Sequence, residues 1–149
     1  MSAVLVASLF VAACEEPTSS SGFRENEYGQ WVRDVPRSQG TFLGEPIAVA
    51  IDRGSAGEHG PQAAELALLD QILAQLPSIL RTAEKALADY EEGADRDYEA
   101  HIEGPTIWVP KDYRRPAEWT FVVERDDWED FGWHIEFEGV EFVEIWAGD

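Results

Sequence analysis

The chain has 149 residues, of which 30 are acidic and 11 are basic, so its formal net charge is −19 at pH 7. This charge repels nucleic-acid phosphates and anionic membrane surfaces, so we expect no nucleic-acid partner and no membrane binding through a basic patch. Hydrophobic residues make up 44% of the chain, which is enough for a packed core and argues against wholesale disorder. A solvated acidic surface accounts for the charge, with a basic partner or bound cations as alternatives.

An uncharged, mainly apolar segment occupies residues 3–13 and ends at Cys14, the single cysteine of the chain. An apolar run followed by small residues is typical of a secretory signal peptide. Residues 11–14, Val-Ala-Ala-Cys, resemble the lipobox of bacterial lipoproteins, and the resemblance implies that Cys14 is acylated and becomes the mature N-terminus. No Lys or Arg precedes the apolar segment. Two alternatives therefore stay open: a start site upstream, or a buried segment with a core cysteine in a cytoplasmic protein.

These features predict three parts of the chain. Residues 1–13 form a cleaved signal segment, residues 14–26 a lipidated tether, and residues 27–149 a single domain. The polar stretch at residues 15–22, Glu-Glu-Pro-Thr-Ser-Ser-Ser-Gly, suits a tether. The predicted location is the bacterial cell envelope, with a lipid anchor in the membrane. A lone cysteine excludes an intramolecular disulfide, and we predict no cofactor.

The first part of the predicted domain, residues 28–51, has the patterns of two β-strands. Residues 28–35 predict a strand anchored by Trp31, and residues 36–40 form a turn cluster. Ile47, Val49 and Ile51 then alternate with alanines, which predicts a strand covered on both faces.

Residues 61–92 give the clearest pattern, an apolar stripe at helical spacing. Pro61 suits the first turn of a helix and Gly93 suits its end. Pro77 lies inside the segment and cannot donate a hydrogen bond to the carbonyl of Leu73. Because the stripe keeps its phase across Pro77, we predict one long Pro-kinked helix. The stripe comprises Leu66, Leu69, Ile72, Leu73, Leu76, Ile79, Leu80, Ala83, Leu87 and Tyr90.

Further strands are predicted over residues 106–109, 118–125, 133–137 and 141–146, with a turn at Glu138 and Gly139. Alternation places Trp119 and Trp133 on core faces. Strands, a helix and again strands predict an α+β fold in which an antiparallel sheet packs against one long Pro-kinked helix.

The C-terminal block resembles small bacterial domains of unknown function that end in a hairpin containing aromatic residues, glycine and histidine. Three stretches carry the resemblance: residues 119–123 (WTFVV), residues 127–137 (DWEDFGWHIEF) and residues 144–149 (EIWAGD). It implies the order of the elements and no particular chemistry.

An acidic turn is the sharpest candidate site: Asp126, Asp127, Trp128, Glu129 and Asp130. We predict that it faces a partner, with Trp128 as an exposed binding aromatic residue.

The next strand offers weak metal candidates, because His134, Glu136 and Glu138 alternate and so share one face. A calcium loop read from Asp127 would put Phe131 at a ligand position, so we predict no metal site. Lys111, Arg114 and Arg115 form the one basic cluster, which suits a solvated loop better than an anion site.

No glycine-rich phosphate loop or serine nucleophile motif occurs, and we predict no catalytic residue. The expected function is a non-enzymatic binding or interaction domain with a basic protein as its candidate partner. The alternatives are an immunity-like inhibitor of a basic toxin and a metal-dependent hydrolase.

Overall fold

A computed structural model describes residues 22–53, 59–92, 96–111 and 117–148. The predicted signal segment, Cys14, Arg114 and Arg115 lie outside the described residues. In chain order the elements are strands β1 (Arg24–Glu25), β2 (Gln30–Asp34), β3 (Thr41–Phe42), β4 (Glu45–Pro46) and β5 (Ala48–Asp52), helices α1 (Ala63–Ala74) and α2 (Leu76–Tyr90), a 3-10 helix (Arg96–His101), and strands β6 (Ile102–Val109), β7 (Glu118–Arg125), β8 (Gly132–Glu138) and β9 (Glu141–Gly148).

One sheet of seven strands organises the domain, in the order β1-β2-β5-β6-β7-β8-β9. All its neighbouring strands pair antiparallel except β5 and β6, which are parallel. The chain segment between this parallel pair contains both helices, as a crossover connection requires. Strands β3 and β4 form a separate small hairpin. The predicted α+β class with a mostly antiparallel sheet is therefore confirmed.

The prediction of one long Pro-kinked helix is wrong, because α1 and α2 are separate helices bent by 77° from one another. The chain leaves the helical conformation at Gln75, which has φ −110° and ψ 10° and caps both helices. Pro77 then occupies the first turn of α2, where its missing N–H has no helical partner to lose. Both helices bury the predicted stripe against the same sheet except at Leu73, which is partly buried, and at Tyr90, which is exposed.

Helices and sheet share one hydrophobic core. Strands β7 and β8 fill it with alternate residues that are fully buried: Trp119, Phe121, Val123, Trp133, Ile135 and Phe137. The predicted core positions of Trp119 and Trp133 are confirmed. The Trp133 Nε1–H donates to Glu91 Oε1 at 2.7 Å just past the end of α2, and the Trp119 Nε1–H donates to the Gly139 carbonyl at 2.7 Å. The indoles of Trp119 and Trp133 therefore have partners for their polar atoms, whereas Trp31 Nε1 is buried without one among the described residues.

The described chain enters the sheet before Asn26, the predicted end of the tether. Arg24 pairs with Val32, and Glu25 pairs with Trp31. Asn26 Oδ1 then accepts hydrogen bonds from the backbone N–H groups of Tyr28 at 3.1 Å and Gln30 at 2.9 Å, which closes the turn into β2.

Neither α1 nor α2 alone is long and apolar enough to cross a membrane. The two pass that test only when taken together as a bent pair.

Candidate functional site on the open face of the sheet

The sheet has two different faces. Residues on one face pack with α1 and α2 into the core. The opposite face, called here the open face, has no helix over it among the described residues. Strand register fixes its members, since paired residues of neighbouring strands project to the same side. One row across the open face is Ala48, Thr106, Val122, His134 and Trp146.

Carboxylates dominate the charge of the open face. In the described strands, strand register places one guanidinium on this face, Arg24 at the β1 edge, and Arg125 at the end of β7 also reaches the depression described next. Four pairs of like charges stand directly opposite each other: Glu103 with Glu124, Glu136 with Glu144, Glu118 with Glu138, and Glu138 with Glu141. Like charges at opposite positions destabilise a sheet. The carboxylates of this face include Asp34, Asp52, Glu103, Glu118, Glu124, Glu136, Glu138 and Glu144.

A depression of about 430 Å³, called here the central groove, lies where β7, β8 and β9 meet the acidic turn. Val122 lies in its floor, and its lining includes Glu124, Asp130, Phe131, Gly132, His134 and Gly148. Gly132 is paired with Glu124 on one side and with Gly148 on the other, so a strip of the face has no side chains next to that carboxylate.

A second depression of about 370 Å³ continues the groove across β5 and β6. It shares Val122 and Glu124 with the central groove, and Tyr28 and Trp108 contribute aromatic surface. The indole of Trp108 is held by its Nε1–H, which donates to Asp52 Oδ1 at 2.9 Å. Gln30 Nε2 donates to the same oxygen at 3.0 Å. Together the two depressions form a trough that runs across the strands.

His134 lines the central groove and lies directly opposite Trp146 on the neighbouring strand. Their rings stack with centroids 3.8 Å apart and planes 2° apart. Burial lowers the pKa of His134 below its usual 6.5, although a hydrogen bond to the Gly148 backbone and the charge of Glu136 oppose this shift. His134 is therefore neutral at pH 7. Its Nδ1 is buried without a hydrogen-bond partner among the described residues.

The acidic turn lies at one end of the central groove. All five of its predicted partner-facing residues are exposed, and Trp128 is 58% exposed, as predicted. The Trp128 ring stacks on Phe131 with centroids 4.4 Å apart.

Two of the carboxylates in the turn already have cationic or hydrogen-bonding partners. Asp127 accepts two hydrogen bonds from Arg125, at 2.7 and 2.6 Å, and these lower the pKa of Asp127 below 3.8. Asp126 Oδ1 lies 2.7 Å from His101 Nδ1. Glu129 and Asp130 have no hydrogen bond or ion pair with another described residue, so their charges remain available to a partner.

The weak metal candidates do not meet in one cluster of ligand atoms. Glu136 accepts a hydrogen bond from Trp146 Nε1 at 2.8 Å, and His134 stacks on that same indole. Among the described residues, the group whose ligand atoms lie within 4.8 Å of one another is His101, Asp126 and Asp127. Arg125 already binds Asp127 there, so we assign no metal to this group.

Several groove residues had no signal in the sequence. Glu124, Gly132 and Gly148 come from three strands, and strand register alone brings them side by side. Trp146 was visible as one of several tryptophans, but its stacking on His134 depends on the pairing of β8 with β9. Lys111, the described member of the predicted basic cluster, is exposed, and its backbone N–H donates to Asp52 Oδ2 at 3.3 Å.

No known protein family, characterised protein or solved structure matches this chain.

Proposed function

We propose that this chain is a lipid-anchored binding protein of the bacterial cell envelope, whose open face binds a basic protein. The observation that carries the proposal is the like-charge pairing across that face, Glu103 with Glu124 and Glu136 with Glu144. Such pairs weaken the free domain, and a basic partner would relieve the repulsion. The role is non-enzymatic, because binding needs the charge and shape of the face and no reacting group.

The alternative account, a surface kept acidic for solubility, explains the distribution of charge less well. Solubility requires net charge, and carboxylates spread over helices and loops supply it without cross-strand repulsion. The open face also has aromatic surface from Trp108 and Trp146, the latter 38% exposed. Aromatic side chains surrounded by one sign of charge are typical of a surface that excludes water against a partner. An immunity-like inhibitor of a basic toxin is a special case of this function.

The lipid anchor rests on residues 11–14 and the polar stretch that follows. Replacing Cys14 with Ser should move the protein from the membrane fraction to the soluble fraction of a bacterial host, because the thiol is the atom of attachment. The intact mass of the wild-type protein should lack residues 1–13 and include lipid. An unprocessed mass, or no change in fractionation for Cys14→Ser, would contradict the anchor and leave the binding proposal standing.

Binding can be tested on the intact protein with a short peptide in which arginine alternates with valine. Calorimetry at about 150 mM salt should detect binding of this peptide and none of its counterpart with glutamate in place of arginine. The double variant Glu103→Gln/Glu144→Gln removes one member of the Glu103–Glu124 pair and one member of the Glu136–Glu144 pair. We expect it to bind the arginine peptide about tenfold more weakly.

The matched control, Asp70→Asn/Glu92→Gln, removes the same charge from the helix layer, where both residues are exposed. Its affinity for the peptide should change by less than about twofold. Equal losses in the two double variants would mean that binding reports net charge alone, and the open face would then not be the binding surface.

A further inference from the structure

We propose that the central groove is the anchor pocket for a single basic side chain, arginine or lysine, of the protein that binds the open face. This inference rests on the proposed function and names the place where that partner is recognised.

The first argument for a basic ligand is that two carboxylates in the groove have no charged partner. Glu124 and Asp130 both line the groove, and neither carboxylate forms a hydrogen bond or ion pair with another described residue. Arg125 also lines the groove, but its guanidinium is committed to Asp127 through two hydrogen bonds. The groove therefore has two uncompensated carboxylates, and a cationic group is the complementary ligand.

The second argument is that His134, another polar side chain that lines the groove, is neutral. His134 would repel a cation if it were protonated, but its lowered pKa leaves it uncharged at pH 7. The floor and the far wall are apolar or aromatic, from Val122 and Phe131. Such surfaces suit the methylene stem of a long basic side chain, whose charged head then reaches the carboxylates.

Size and shape are the third argument. A volume of about 430 Å³ is at the small end for ligand pockets, and it suits a side chain rather than a folded element. The space exists because Gly132 and Gly148 lie side by side with no side chains. A Cβ on Gly148 would come within 3.5 Å of the Trp146 ring, an ordinary contact distance, so larger residues there should fold. A Cβ on Gly132 would lie 3.0 Å from the Val123 carbonyl oxygen and would strain the backbone.

Because Gly148 has room for a side chain and Gly132 does not, the test of the groove uses variants at Gly148. The probe is a short neutral peptide with one central arginine, compared with the same peptide carrying citrulline, which has a similar shape and no charge. Binding to the intact protein is followed by NMR through the indole N–H of Trp146 and the imidazole of His134. We expect the citrulline peptide to bind about tenfold more weakly than the arginine peptide.

Four variants in the groove and one control outside it test where the arginine peptide binds. Glu124→Gln and Asp130→Asn should each weaken binding of the arginine peptide about three- to tenfold, and Asn suits the φ of 57° at position 130. Gly148→Leu should abolish binding of the arginine peptide by filling the groove. If Gly148→Leu does not fold, Gly148→Ala takes its place and should weaken binding. Asp70→Asn, at an exposed position of α1 away from the open face, is the charge-matched control and should stay within about twofold of wild type.

Two results would overturn the pocket. One is equal binding of the arginine and citrulline peptides, and the other is wild-type affinity in a folded Gly148→Leu variant. If the alternating arginine peptide still binds and still depends on Glu103 and Glu144, the proposed function survives without the pocket. If neither the single-arginine peptide nor the alternating arginine peptide binds, both proposals are contradicted.

Discussion

The indole ring of Trp146 lies flat on the imidazole ring of His134, with 3.8 Å between centroids and 2° between planes. Strand pairing places the two residues directly opposite each other on β9 and β8. The Trp146 Nε1–H donates to Glu136 Oε1 at 2.8 Å, which fixes the indole in the plane that covers the imidazole. His134, which lines the central groove, is thus covered by the indole of Trp146, and that indole is held in turn by Glu136.

Burial of His134 predicts that the domain loses stability at mildly acidic pH. Its folded pKa is lowered, so between pH 6.5 and that lower value the unfolded chain binds a proton that the folded chain does not. Stability therefore falls as pH drops through this window. Denaturant titrations from about pH 8 to pH 5 should show this loss in wild type and a smaller one in His134→Gln. Parallel curves for the two proteins would contradict the prediction.

Like-charge pairing predicts that reversing one charge on the open face stabilises the domain. Glu144→Lys places an ammonium opposite Glu136, and we expect a gain of about 0.2–1 kcal/mol in the free energy of unfolding. Asp70→Lys makes the same change in net charge at an exposed position of α1 and is the control. A larger gain in Glu144→Lys than in Asp70→Lys, measured by thermal melting, would support cross-strand repulsion. Equal gains would assign the effect to net charge.

Local patterns in the sequence predicted the strands well where alternation was strict. The predicted strand over residues 118–125 has the bounds of β7. The burial of Trp119 in β7 and of Trp133 in β8 follows from the period of two in each strand. The break at Gln75 was missed because a proline tolerated in the first turn of a new helix gives the same local pattern as a kink.

Relations between distant segments could not be predicted. The parallel pairing of β5 with β6 depends on how both helices pack, which no local period reports. The central groove depends on the register of β7, β8 and β9, and a shift of one residue would send Glu124 and His134 to the other face. The exposed acidic turn could thus be predicted from the sequence, whereas the neighbouring groove could not.

The burial of the helical stripe predicts unequal costs for two adjacent residues of α1. Ile72 is fully buried in the core, whereas Leu73 is only partly buried against it. Ile72→Ala should lower the free energy of unfolding by about 2–5 kcal/mol, and Leu73→Ala should cost clearly less. Chemical denaturation of both variants measures the difference. Equal losses would mean that α1 packs on the sheet with a different face.

The bidentate contact between Arg125 and Asp127 predicts two linked effects of Asp127→Asn. The folded pKa of Asp127 is lowered, so its stabilising contribution is present above pH 3.8 and is lost as pH falls through the lowered value. Asp127→Asn should therefore destabilise the domain at neutral pH, and its stability should approach that of wild type in strong acid.

The second effect concerns the central groove, which Arg125 also lines. Without the carboxylate of Asp127, the guanidinium is free to pair with Glu124 or Asp130, and the single-arginine peptide should bind more weakly. Glu129→Gln removes an equal charge from the same turn without releasing Arg125, so it should leave both stability and peptide affinity near wild type. Equal effects of Asp127→Asn and Glu129→Gln would show that the charge of the turn, rather than the commitment of Arg125, keeps the groove open to a cation.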